Sequence, residues 1–127
     1  FRLSQAKDTQ QKRQNIAKKY NEAFEDLDVV TQKMANGLNH NYHKYVVRFQ
    51  DKDTRKRVKQ AINGSIHYET PLSANGMYSN IPHKKDDCVS AKIASNTVLS
   101  LPIHAWLTSS EVEEIIEKVK SAYGNNI

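Results

Sequence analysis

The run Ala94-Ser-Asn-Thr-Val-Leu-Ser-Leu-Pro-Ile-His-Ala-Trp-Leu-Thr-Ser-Ser-Glu111 passes through helix, strand, turn and helix start in quick succession. Its small residues suit the end of a helix. Val98-Leu-Ser-Leu101 is a short apolar strand. Pro102 has no N–H to give to a ladder, so it closes that strand at an edge or an end. Thr108-Ser-Ser-Glu111 is a capping box, in which the first and fourth side chains serve each other's backbone amides. Val112, Ile115, Ile116, Val119, Ala122 and Tyr123 then recur at helical spacing, and Gly124 stops the helix. Trp106, between strand and helix, is expected to be packed.

Upstream, Ile16, Tyr20, Ala23, Phe24 and Leu27 make one apolar stripe on a helix expected from about Leu3 to Leu27. Gly37 supplies a turn. His40 to Phe49 reads as a strand, with His43, Tyr45, Val47 and Phe49 on one face and Tyr42, Lys44, Val46 and Arg48 on the other. Asp51 or Asp53 caps a helix from about Thr54 to Ile62, with a buried edge of Val58, Ala61 and Ile62; Asn63-Gly64 ends it. Ser65-Ile-His-Tyr68 is a short strand. Glu69 to Ser73 is extended around Pro71. Ala74 to Lys85 reads as a loop with one helical turn, and Asp86 or Asp87 caps a third helix to about Asn96. Short strands bracketed by helices imply an α+β fold: a small antiparallel or mixed sheet of three to four strands packed by helices.

The chain has 127 residues, enough for a single domain with one core. No apolar run approaches a membrane span. The start, Phe-Arg-Leu-Ser-Gln-Ala-Lys-Asp8, lacks the layout of a signal peptide and reads like the middle of a helix, as if cut from a longer chain. The one cysteine, Cys88, excludes an internal disulfide and a cysteine metal cluster, and favours a reducing, cytoplasmic compartment. Its expected place is buried on a helix near Ala91. The formal charge is +5, yet the densest run, Lys52 to Lys59, falls on a helix that would scatter its charges over a solvated face. His40 and His43, three apart on a strand, point to opposite faces, so no metal site is expected. His67-Tyr68 sits where a strand meets a proline-stiffened loop, a common place for binding residues; as an ordinary strand pair, Tyr would be packed and His wet. No nucleophile and base pair, glycine-rich phosphate loop or H-E-x-x-H occurs.

Four stretches, in order, resemble the C-terminal domain of the DegT/StrS (DegT/DnrJ/StrS) family of pyridoxal-phosphate (PLP) sugar aminotransferases. Arg13 to Tyr20 is similar to the family's "RR-x-IA-x-x-Y" helix. His40 to Arg48 is similar to "H-x-Y-H-x-Y-V-x-R". Ile66-His-Tyr-Glu-Thr-Pro-Leu-Ser73 is similar to "I-H-Y-P-x-P-L-H", with Glu69 and Ser73 standing where the family often has Pro and His. Val98 to Glu111 is similar to "V-L-S-L-P-x-x-P-x-L-T-x-x-E".

The resemblance implies that residues 1–127 form a single C-terminal small domain, with the PLP-binding large domain absent from this chain. It implies transfer of an amino group to a keto-sugar nucleotide, as in polysaccharide biosynthesis, by a homodimer in which this domain is inactive alone. Some relatives catalyse dehydration instead. PLP would be held by the missing domain, whose lysine has no counterpart here; Lys84 and Lys85 match no family lysine. His67, Tyr68 and Ser73 are the expected substrate-binding residues, and no catalytic, cofactor-binding or metal-binding residue is expected. The expected partners are the large domain, a second subunit and a nucleotide sugar, with neither nucleic acid nor membrane. A stand-alone basic binding module, supported by the charge and six tyrosines, and an inactive fragment of a split gene are the competing readings.

Overall fold

The computed structural model describes residues 3–82 and 88–124. Its elements are helix α1 (Ala6–Ala23), strand β1 (Tyr45–Arg48), helix α2 (Lys52–Ile62), two 3₁₀ turns (Leu72–Ala74 and Gly76–Tyr78), helix α3 (Val89–Thr97), strand β2 (Val98–Leu101) and helix α4 (Ser109–Gly124). The class is α+β, as expected. β1 and β2 form an antiparallel ladder with Tyr45 opposite Leu101 and Val47 opposite Leu99.

The ladder has two strands, and single bridges widen it on both sides. Val30 and Arg48 exchange both backbone bonds at 2.9 Å beyond β1, and Ser65 and Ser100 pair beyond β2. The free N–H of Val46 on the outer edge is taken by the Gln32 side-chain oxygen at 2.9 Å. The strand expected over Ser65–Tyr68 shrinks to its first residue, because the chain then turns so that His67 lies against Ser100. The strand expected from His40 starts only at Tyr45. Here the His40 ring accepts from the Tyr42 N–H at 2.9 Å and the Asn41 side chain accepts from the His43 N–H at 3.0 Å. These side chains offer the backbone a turn in place of a ladder, and Tyr42 adopts φ 45°. That turn sends Tyr42 inward beside Tyr45, against the alternation, and leaves His43 exposed.

One face of the ladder carries Tyr45, Val47, Leu99 and Leu101, all buried, and meets Ile16, Tyr20 and Phe24 of the α1 segment, Val58 and Ile62 of α2, and Val112 and Val119 of α4. Tyr20 and Tyr45 lie 5.0 Å apart between ring centroids. Their hydroxyls reach acceptors, Pro102 O at 2.9 Å and Asn21 Oδ1 at 2.7 Å. Burial pushes both phenols well above their ordinary pKa. α1 is shorter than expected, and Leu3 stands in an exposed turn. In α2 the inward residues are Thr54, Arg55, Val58 and Ile62, while Ala61 is exposed. Arg55, 6% exposed, therefore departs from the solvated face expected of the charged run.

The caps follow the sequence. Asp51 Oδ1 accepts from Asp53 N and Thr54 N, both at 2.8 Å. Asn63 takes the left-handed conformation that ends α2, while Gly64 permits close approach: a Cβ there would sit 3.0 Å from Leu99 Cδ1. The Thr108–Glu111 capping box closes as expected, with Thr108 N donating to Glu111 Oε2 at 2.8 Å and Glu111 N to Thr108 Oγ1 at 3.2 Å. The proposed caps of the third helix, Asp86 and Asp87, lie outside the described residues; α3 is preceded by Cys88, which is exposed. The expectation of a buried Cys88 is thus corrected: it stands at the N-terminal end of α3, before the first turn, and is exposed. Trp106 is likewise corrected. It is 79% exposed, on the turn after Pro102, while its neighbours Ile103 and Leu107 are the residues of that segment that pack against the core.

Leu99→Ala removes a side chain with no exposed surface and is expected to destabilise the fold by about 2–5 kcal/mol in urea titrations. The backbone amide of Thr54 foremost, with its hydroxyl, holds the Asp51 carboxyl below its ordinary pKa, and Thr108 does the same for Glu111. Stability from such groups is present above the unfolded carboxylate range, near ~4, and is lost as pH falls through the lower folded values. Asp51→Ala is therefore expected to lower the urea midpoint at neutral pH, with the difference from wild type vanishing as pH falls through that range.

Candidate functional site

The ladder's second face carries Val46, Val98 and Ser100. It is roofed by α3 and by the segment after Ser65, leaving a hollow of about 480 Å³. Val46 and Val98 form its floor, Ala91, Ala94 and Ser95 one wall, and His67, Tyr68, Pro71 and Leu72 the other. The lining is mainly apolar, with Thr70, Ser95 and Asn75 as polar points, the usual character of a small-molecule site.

His67 and Tyr68 meet at this hollow as the sequence suggests, with the imidazole edge-on to the phenol at 5.5 Å. Their exposures are the reverse of an ordinary strand pair: His67 is half-buried and Tyr68 is 73% exposed. Ser73 is exposed in the first 3₁₀ turn and is not among the lining residues. Two residues that the sequence did not single out hold His67. Its Nδ1 lies 2.9 Å from Ser100 Oγ and its Nε2 lies 3.3 Å from Lys44 Nζ. The available signal was register. Lys44 and Val46 alternate onto the face of β1 that Ser100 shares from β2, so a histidine on that face meets both.

Glu69, next along, reaches the buried Arg55 at 3.9 Å, and Arg55 Nε has no hydrogen-bond partner. This pair ties the loop to the start of α2. Among the described residues, the hollow's lining includes neither a lysine nor a carboxylate. A Schiff base and a partner for a pyridine nitrogen need both, so the described lining residues do not by themselves fit a PLP cradle.

Ser100→Ala leaves the His67 ring without its buried partner. It is expected to cost about 1 kcal/mol in urea unfolding and to alter the ¹⁵N shifts of the imidazole; unchanged shifts would mean that the contact does not form.

Three comparisons bear on this arrangement. The dTDP-3-amino-3,6-dideoxy-alpha-D-galactopyranose transaminase of Aneurinibacillus thermoaerophilus is 30% identical over 126 residues, covering 98% of this chain and 34% of that protein. The aminotransferase TlmJ from Streptoalloteichus hindustanus shares the fold, with a TM-score of 0.83 at 24% identity over 94% of this chain and 33% of its own. The Spr1654 protein of Streptococcus pneumoniae, solved in a PLP form, superposes with a TM-score of 0.84 at 22% identity over 95% of this chain and 33% of that one. The chain thus spans about a third of the length of the relatives it matches. The family model matches residues 1–120, and the chain belongs to the DegT/DnrJ/EryC1/StrS aminotransferase family.

Proposed function

We propose that this chain is the C-terminal small domain of a PLP-dependent nucleotide-sugar aminotransferase, acting in the cytoplasm with a large PLP-binding domain in a homodimer. The observation that carries the reading is the family match over residues 1–120 in a chain that spans only about a third of its relatives. The transaminase among those relatives acts on a dTDP-linked amino sugar, which supports a keto-sugar nucleotide as the substrate class.

The surface around the hollow supports a covering partner. Tyr68, Leu72, Met77, Val89 and Ile93 are all exposed on the roof segment and α3. Apolar side chains gathered in this way mark surfaces that another body covers. The large domain is the proposed cover, and PLP with its Schiff-base lysine would come with it, because the described lining has no lysine of its own. His67 and Tyr68 would then form one wall of the sugar site, with Ser73 at its rim.

The coding DNA upstream of the Phe1 codon tests the reading. The frame is expected to continue into an α/β domain bearing a lysine suited to PLP; a stop codon or an unrelated sequence there would overturn it. In the protein carrying that domain, His67→Ala is expected to lower kcat/KM for a keto-sugar nucleotide by about tenfold or more, chiefly through KM, with the spectrum of bound PLP unchanged.

A further inference from the structure

His67 separates two hollows. On the side away from Val98 lies a second one of about 280 Å³, whose polar lining is His43, Lys44, Asn63, Ser65, His67 and Ser100. Among the described residues no carboxylate contributes to that lining. An ammonium, two imidazoles, an amide and two hydroxyls therefore face one space, and the fixed charge among them is positive.

Lys44 gives the space its chemistry. Among the described residues its Nζ has one partner, His67 Nε2 at 3.3 Å, and it takes part in no ion pair. An ammonium only donates, so Nε2 must accept. The ring hydrogen then resides on Nδ1, which donates to Ser100 Oγ at 2.9 Å. A lysine on an open surface would sweep through solvent; this one is half-buried and tethered to a ring that is itself clamped by β2. Two of its three hydrogens remain for another acceptor. A positioned ammonium beside neutral donors is the recognition chemistry of an oxyanion, above all a phosphate group.

We propose that this second hollow is an anion subsite for a phosphate group, with Lys44 supplying the charge and Asn63 and Ser65 orienting the oxygens. In the family's "H-x-Y-H-x-Y-V" pattern Lys44 falls on an unspecified position, so the charge is a property of this chain and bears on which ligand it accepts. That the phosphate arrives as part of a nucleotide sugar rests on the function proposed above; the subsite itself rests on the geometry.

The test is a titration of the ¹⁵N-labelled 127-residue chain at fixed ionic strength with inorganic phosphate, a pyrimidine nucleoside diphosphate and the neutral nucleoside. Both phosphate compounds are expected to shift the Asn63–His67 amides and the His67 ring, and the nucleoside alone is not. Lys44→Met is expected to weaken phosphate binding by about tenfold, Lys44→Arg to retain it, and Lys120→Met, on an exposed lysine of α4, to leave it unchanged. Equal binding of inorganic phosphate and of the diphosphate supports the subsite while removing support for a nucleotide ligand. Binding that Lys44→Met leaves intact, or no shift at these residues with either phosphate compound, overturns the subsite, and the His67→Ala kinetics then still judge the aminotransferase reading separately.

Discussion

Everything in this fold hangs on the meeting of two four-residue strands, Tyr45–Arg48 and Val98–Leu101, from opposite parts of the chain. Bringing them together closes a long loop, and that entropy must be offset by what the pairing buries. So short a ladder cannot supply the offset through its own hydrogen bonds. The compensation is side-chain burial on its inner face, where Tyr45, Val47, Leu99 and Leu101 meet three helices at once. The two buried tyrosines raise the stakes. Tyr20 and Tyr45 bring large rings into the core, and each hydroxyl finds an acceptor, so that neither phenol oxygen is stranded there.

With that inner face fixed, the outer face is fixed too. Alternation leaves Lys44, Val46, Val98 and Ser100 pointing the other way, and the segment after Ser65 must cover them. The bridge between Ser65 and Ser100 sets where the covering begins, and His67 follows two residues later. The position of the imidazole is thus a consequence of strand register more than of the loop that carries it. The Ser100 hydroxyl of β2 ties the ring to the ladder, which suits a residue that divides two hollows.

Local signals in the sequence were reliable where the physics is local. The capping box at Thr108, the cap at Asp51, the Val98–Leu101 strand and its proline stop all stand within a residue or so of their expected places. The readings that went astray concern burial, which depends on residues distant in sequence. Residue type predicts Trp106 and Cys88 inside and charge predicts Arg55 outside, yet Trp106 and Cys88 are exposed and Arg55 is buried. Tyr42 went astray for a local reason of another kind, since the side chains of His40 and Asn41 bend the backbone before the strand begins. The His67–Tyr68 pair was visible as a motif, but its partners Lys44 and Ser100 became visible only with the strand register.

The wetted indole of Trp106 has an optical consequence. It is the only tryptophan in the chain, and with 79% of its surface in water its emission in the folded molecule already resembles that of a ring in solvent. Fluorescence will therefore be nearly blind to unfolding, which must be followed by backbone or tyrosine signals. The same ring becomes a sensitive reporter of the opposite event: any body that settles over the turn between β2 and α4 would dry the indole and move its emission to the blue, with no label added.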